Sequence, residues 1–133
     1  MSKYVKVETE IKDESLFVDA LREVCREEGI EFEQGSDLAL YGFQGDQRRD
    51  TADYVIRREH IERLANDLGF KRHDDGIQAI ISEYDQSHRA QSILNTVKRR
   101  YAVKAVRRAA RRAGHTVREE AAEDNSVRLR IRV

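Results

Sequence analysis

The chain predicts an α+β fold: a single domain over residues 1–133, with a largely antiparallel sheet and two helices packed on one of its faces. Three observations carry this reading. Apolar and polar residues alternate around Tyr4–Ile11, Leu68–Phe70 and Val127–Val133, the period of a half-buried strand. Two stretches instead repeat apolar residues every three or four positions, the period of an amphipathic helix. Both end at a glycine, Gly29 and Gly114, which adopts the left-handed cap without a Cβ clash.

Tyr4 to Ile11 opens as a strand with Val5, Val7 and Ile11 on one face and Lys6, Glu8 and Glu10 on the other. Asp13 is placed to cap a helix from Glu14 to Glu28, with Leu16, Phe17, Ala20, Leu21, Val24 and Cys25 as its apolar stripe. A short strand at Ile30–Glu33, a turn at Gln34–Asp37 and a second strand at Leu38–Phe43 follow. The polar run Gly42 to Asp53 reads as a hairpin tip, and Tyr54 to Arg58 as the returning strand. Glu59 to Asn66 permits one helical turn, too short to stand alone. Leu68 to Phe70 and Ile77 to Tyr84 are strands joined through His73-Asp74-Asp75-Gly76, where Asp-Gly marks a tight turn.

Residues 92–133 organise the rest. A long helix carries Leu94, Val97, Tyr101, Ala105, Ala109 and Ala113 on one face and a row of arginines and lysines on its flanks. After Gly114 a two-stranded ribbon ends the chain, its last strand alternating Val127, Leu129, Ile131 and Val133 with Arg128, Arg130 and Arg132. Leu21, Val24, Tyr101, Val106 and Ile131 are expected in the core. A shift of 85 residues aligns Ala20, Arg22, Arg26 and Gly29 with Ala105, Arg107, Arg111 and Gly114. Two readings stand: a duplicated β-α-β-β unit of ferredoxin-like type, or two amphipathic helices that share a pattern because both end in a glycine cap.

Composition bounds the function. At 39% hydrophobic and 38% charged, the chain suits a small, heavily solvated folded protein. No run of 18 apolar residues occurs, the N-terminus lacks an apolar leader, and a single cysteine, Cys25, fits a reducing cytoplasm. The net charge of zero hides an asymmetry: residues 86–118 hold ten bases and no acid, and residues 1–37 hold eleven acids and five bases. Either the basic helix docks on the chain's own acidic half, or it meets an acidic partner.

Patterns for catalysis are sparse. Neither a GxxxxGK run nor a GxGxxG run occurs, and one cysteine makes no CxxC pair. No catalytic residue, cofactor or metal is therefore expected. Cys25 falls on the apolar stripe, as a core thiol does. His73 beside Asp74 and Asp75 is a turn residue or, in the sharper reading, a cation ligand. Arg48 and Arg49, between Asp46 and Asp50, are candidate contacts for phosphate or a partner's carboxylates. The run KRRYAVKAVRRAARR invites a nucleic-acid reading, though Tyr101 lies on the core stripe and the pI is near 6.9.

The stretches SKYVKVETEIKDESLFVDAL, YGFQGDQRRDTADYVI and RRYAVKAVRRAARRAGHTVREEAAEDNSVRLRIRV together resemble a known family. It is the uncharacterised family typified by hypothetical chloroplast open reading frame thirty-five, found in cyanobacteria, plastids and other prokaryotes. Its members usually begin with a His-Phe pair where this chain has Lys3 and Tyr4, and carry a tryptophan where this chain has none. The resemblance implies a small cytosolic domain with no assigned activity. Members often lie beside genes for ATPases of the AAA type, which implies an accessory role.

The function expected from all this is a non-catalytic protein-interaction or accessory module of a larger cytosolic assembly, with an acidic protein partner, which the resemblance makes an AAA-type ATPase. Its partner-binding residues would be Arg48, Arg49, Arg99, Arg100, Arg107 and Arg111. The alternatives are a nucleic-acid-binding accessory protein using the helix at 92–113, and a small enzyme on an anionic substrate with Arg48, Arg49 and His73.

Overall fold

A computed structural model describes residues 3–121 and 127–132. Its elements run β1 (Tyr4–Glu8), α1 (Glu14–Glu28), β2 (Glu33–Tyr41), β3 (Gln47–Ile56), β4 (Leu68–His73), β5 (Gly76–Ser82), α2 (Arg89–Arg112), β6 (Thr116–Ala121) and β7 (Val127–Arg132). Single 3-10 turns lie at Arg58–His60 and Tyr84–Ser87. Strands β2 to β5 form an antiparallel meander, and β1 returns to pair with β5, giving the order β1-β5-β4-β3-β2. The last two strands form a separate antiparallel ribbon. This is the expected α+β architecture.

Alternation along the strands divides the sheet into two faces. Tyr54, Ile56, Leu68, Phe70, Ile77, Ala79 and Ile81 all enter one cluster with Phe17, Leu21 and Val24 of α1 and Ile93, Leu94, Val97 and Tyr101 of α2. Both helices therefore cover the same face. Leu40, Ala52, Val55 and Ile80 make a smaller cluster on the other. Helix α1 has the bounds its sequence predicts, opened by Asp13 Oδ1 accepting from the Leu16 amide at 2.9 Å. It closes at Gly29, whose φ of 68° only glycine adopts freely. Gly76, at φ 146°, starts β5 against the Ile11 carbonyl, where any Cβ would stand 2.1 Å from that oxygen.

Several expectations are corrected. The predicted turn at Gln34–Asp37 is an irregularity inside one strand, β2, with a register shift between Gln34 and Leu38. Asp37 takes a φ of 52° there, and its amide donates to buried Asp53, so turn chemistry is absorbed as a bulge. The hairpin tip is shorter than predicted: Gln47, Arg48 and Arg49 already belong to β3, because a polar sequence is no bar to a strand that extends into solvent. Strand β1 stops at Glu8 rather than Ile11.

In α2 the buried row is Ala90, Ile93, Leu94, Val97, Tyr101 and Ala110, whereas Ala109 and Ala113 are exposed. Beyond Tyr101 the helix still meets α1 through Lys104 and Arg108, and it also meets the ribbon through Arg107 and Glu119. Val106, expected in the core, is 40% exposed, and Ile131, at the end of the ribbon, 47%. Leu21, Val24 and Tyr101 are buried as expected. Nor do the two halves repeat. Strands β2 and β3 lie in the same sheet as β1, but β6 and β7 leave the sheet of β5, so no shared strand order supports a ferredoxin-like duplication. Val133, the last residue of the predicted ribbon, lies outside the described residues.

Candidate anion-binding surface

The basic residues of α2 fall into rows by their spacing. Arg100, Lys104 and Arg108, four apart, share the side that faces α1. There the acidic first helix meets them. Lys104 Nζ lies 2.6 Å from Glu23 Oε1, and Arg100 donates to Glu23 at 3.1 Å and to Glu27 at 2.8 Å. Arg108 donates to Asp13 Oδ2 at 2.9 Å, while the Tyr101 hydroxyl accepts from the Lys12 and Asp13 amides at 3.0 Å each. The Lys104 ammonium holds Glu23 below the usual carboxylate range, and the Arg100 guanidinium does the same for Glu27. Asp13 is lowered chiefly by the Leu16 amide, then by Arg108. This row is consumed within the fold.

The outer side differs. Arg99, Arg111 and Arg112 are exposed and make no ion pair among the described residues. Arg107 reaches Glu119 at 2.7 Å, tying the helix to the ribbon. Gly114, at φ 80°, ends the helix with His115 donating to the Ala110 carbonyl at 2.8 Å, and this turn aims the ribbon back along the helix end.

In the ribbon, Val117 stands opposite Ile131 and Glu119 opposite Leu129, on the side that meets α2. Thr116 opposite Arg132, Arg118 opposite Arg130 and Glu120 opposite Arg128 make the other side. Four arginines thus share one exposed face, with Glu120 taking Arg130 at 2.8 Å. Residues 107–132 contain eight arginines, no lysine and four acids. The described part of this end sets eight arginines against two acids, Glu119 and Glu120.

Of the expected partner-binding residues, Arg99, Arg107 and Arg111 lie on or beside this surface, and Arg100 is tied to α1. Arg48 and Arg49 stand elsewhere, on β3. The Arg48 guanidinium packs 5.3 Å from the Tyr4 ring centroid and 3.8 Å from Asp46, with its side chain only 17% exposed. His73 is at the other end of β1, beside the turn where β5 meets Ile11. The trio Arg48, Arg49 and His73 is therefore not assembled into one site. Among the described residues no group of three or more His, Cys, Asp or Glu is placed to hold a metal ion. Burial pushes the Cys25 thiol up to about 11, with Glu28 adding to the shift. No described helix is long and apolar enough to cross a membrane.

Sequence reasoning missed a buried polar network behind β2. Asp67, 1% exposed, accepts from Arg57 Nη1, the Tyr41 amide and the Arg58 amide, each at 2.8 Å. Arg57 also clasps Glu33 at 2.7 and 3.0 Å and the Ala39 carbonyl at 2.7 Å. Next to it, Asn66 donates from its amide nitrogens to Asp85 Oδ2 at 3.2 and 3.1 Å. The one available signal was Asn66-Asp67 sitting directly before the apolar strand, with no helical or strand period to explain it.

Comparison with known families places the chain. It belongs to the family described as Protein of unknown function (DUF1257), which matches residues 24–130. No curated protein and no solved structure matches it. The matched residues include α2 and all of the ribbon's arginine face except Arg132.

Proposed function

We propose that the chain is a non-catalytic, cytoplasmic interaction module that presents an arginine-rich end to an acidic partner within a larger assembly. The observation that carries this is the division of the arginines. Arg100, Lys104 and Arg108 are neutralised by Glu23, Glu27 and Asp13, whereas Arg99, Arg111, Arg112 and the ribbon's Arg118, Arg128 and Arg132 keep their field for another molecule. Charge placed in this way speeds encounter with an acidic surface more than it tightens the final complex. Buried, unreactive Cys25 supports the reducing compartment. Kinship with the plastid open-reading-frame proteins, and through it an AAA-type ATPase as partner, rests on the shared sequence stretches alone.

Capture of the partner from native-host extract tests the reading. Parent protein should retain a defined partner that elutes as salt rises. Arg107→Glu with Arg111→Glu should keep the fold, since the partly exposed Arg107–Glu119 pair at the surface contributes only about 0–1 kcal/mol. The same variant should capture that partner several-fold more slowly and with a flatter salt dependence. Equal capture by the variant would show that the arginines are solvated surface and nothing more.

A further inference from the structure

Resting on that reading of an open arginine surface, we infer that the outward face of the β6–β7 ribbon is a docking site for double-stranded DNA, held through its phosphates. The face consists of Thr116, Arg118, Glu120, Arg128, Arg130 and Arg132. Arg118 stands directly opposite Arg130, and like charges in directly paired positions destabilise a ribbon. Glu120 relieves Arg130 alone, leaving Arg118, Arg128 and Arg132 without an ion pair among the described residues. A bound polyanion relieves the remaining repulsion. Successive arginines on β7 lie two residues apart, roughly 7 Å at about 3.4 Å per residue, so the array suits a repeating anion better than a single carboxylate.

The chemistry of the face selects among polyanions. Protein interfaces have an apolar or aromatic centre and few charges there. This face has no apolar residue, and the polar, strongly positive composition is that of a nucleic-acid interface. Every cation from residue 105 onward is arginine, whose planar fork takes phosphate in two parallel hydrogen bonds. Single strands need aromatic side chains for the bases to stack on, and no Phe, Tyr or Trp follows Tyr101. The deep, narrow major groove of duplex RNA excludes a ribbon, whereas that of B-form DNA admits a two-stranded one. The apolar side of the ribbon, with Val117 and Leu129 half-buried, stays toward α2 and leaves the arginine side free.

Fluorescence anisotropy with a labelled duplex DNA of arbitrary sequence, read from 50 to 200 mM salt, tests the site. The parent should bind with an affinity that falls steeply as salt rises. Replacing Arg118, Arg128 and Arg132 together by alanine should make the log–log salt slope shallower by about 2.7, at about 0.9 per phosphate contact. Glu120→Gln, which frees Arg130 and removes a negative charge, should bind several-fold tighter, an outcome that loss of folding cannot mimic. No salt-dependent duplex binding by the parent, an unchanged slope in the triple variant, or no gain from Glu120→Gln would each overturn the inference. So would single-stranded DNA or duplex RNA binding as tightly as duplex DNA. Tighter binding to polyglutamate than to duplex DNA would overturn it while leaving the acidic-partner reading intact.

Discussion

Asp85 shows how a single buried residue contributes to the pH response of the fold. It is fully buried, its Oδ2 accepts twice from Asn66, and its Oδ1 has no hydrogen-bond partner among the described residues. Burial raises its carboxyl above the ordinary value, only partly offset by the Asn66 hydrogen bonds, because the charged form loses more hydration than it regains. A carboxyl raised in the folded state binds its proton more tightly there than in the unfolded chain. Its penalty is absent below the unfolded pKa and grows as pH rises through the folded one. Asp85→Asn removes this term. Urea melts at pH 4 and pH 7 should therefore show the variant gaining on the parent as pH rises, by about 1–3 kcal/mol at most. A difference that does not change with pH would mean Asp85 is solvated in the folded protein.

At the scale of elements, the contact between α1 and α2 turns on Tyr101. Its ring is buried at 7% exposure, and its hydroxyl accepts from the Lys12 and Asp13 amides at the start of α1. Tyr101→Phe keeps the packing and strands two amides at a part-buried helix entrance, so it should cost about 1–3 kcal/mol in a urea melt. A loss below about 0.5 kcal/mol would mean that water satisfies those amides.

The ring's burial was legible in the sequence, since Tyr101 falls on the stripe of Leu94 and Val97, but its hydroxyl's partners lie 88 and 89 residues away and no periodicity reports them. The same division runs through the other elements. Helix α1 could be read in full because cap, stripe and glycine stop are all local signals. The length of β2 could not, since Gly35, Ser36 and Asp37 have turn chemistry and only pairing with β3 keeps them in the strand. Exposure of Val106 and Ile131 escaped for a similar reason: pattern shows which face is apolar, and not whether a second layer covers it.

For the whole molecule, the sequence asymmetry between acidic and basic halves is used in part within the fold. Part of the basic helix is neutralised by Asp13, Glu23 and Glu27, as docking on the chain's own acidic half requires. Arg111 and Arg112 at the end of α2, followed by Arg118, Arg128 and Arg132 of the ribbon, make no ion pair among the described residues. Arg48 and Arg49 stand away from this end, one packed on Tyr4 and the other exposed along β3.

The central claim is that anions engage Arg111, Arg112 and the arginines of β6 and β7, and not the neutralised row. Amide chemical-shift mapping of the isotope-labelled protein, titrated in turn with duplex DNA and with polyglutamate, tests it most directly. Perturbations should concentrate in the last two turns of α2 and in β6 and β7, and should fade as salt is raised. Shifts centred on Arg48 and Arg49, or along the Arg100–Lys104 side of α2, or no shifts with either polyanion, would contradict the account.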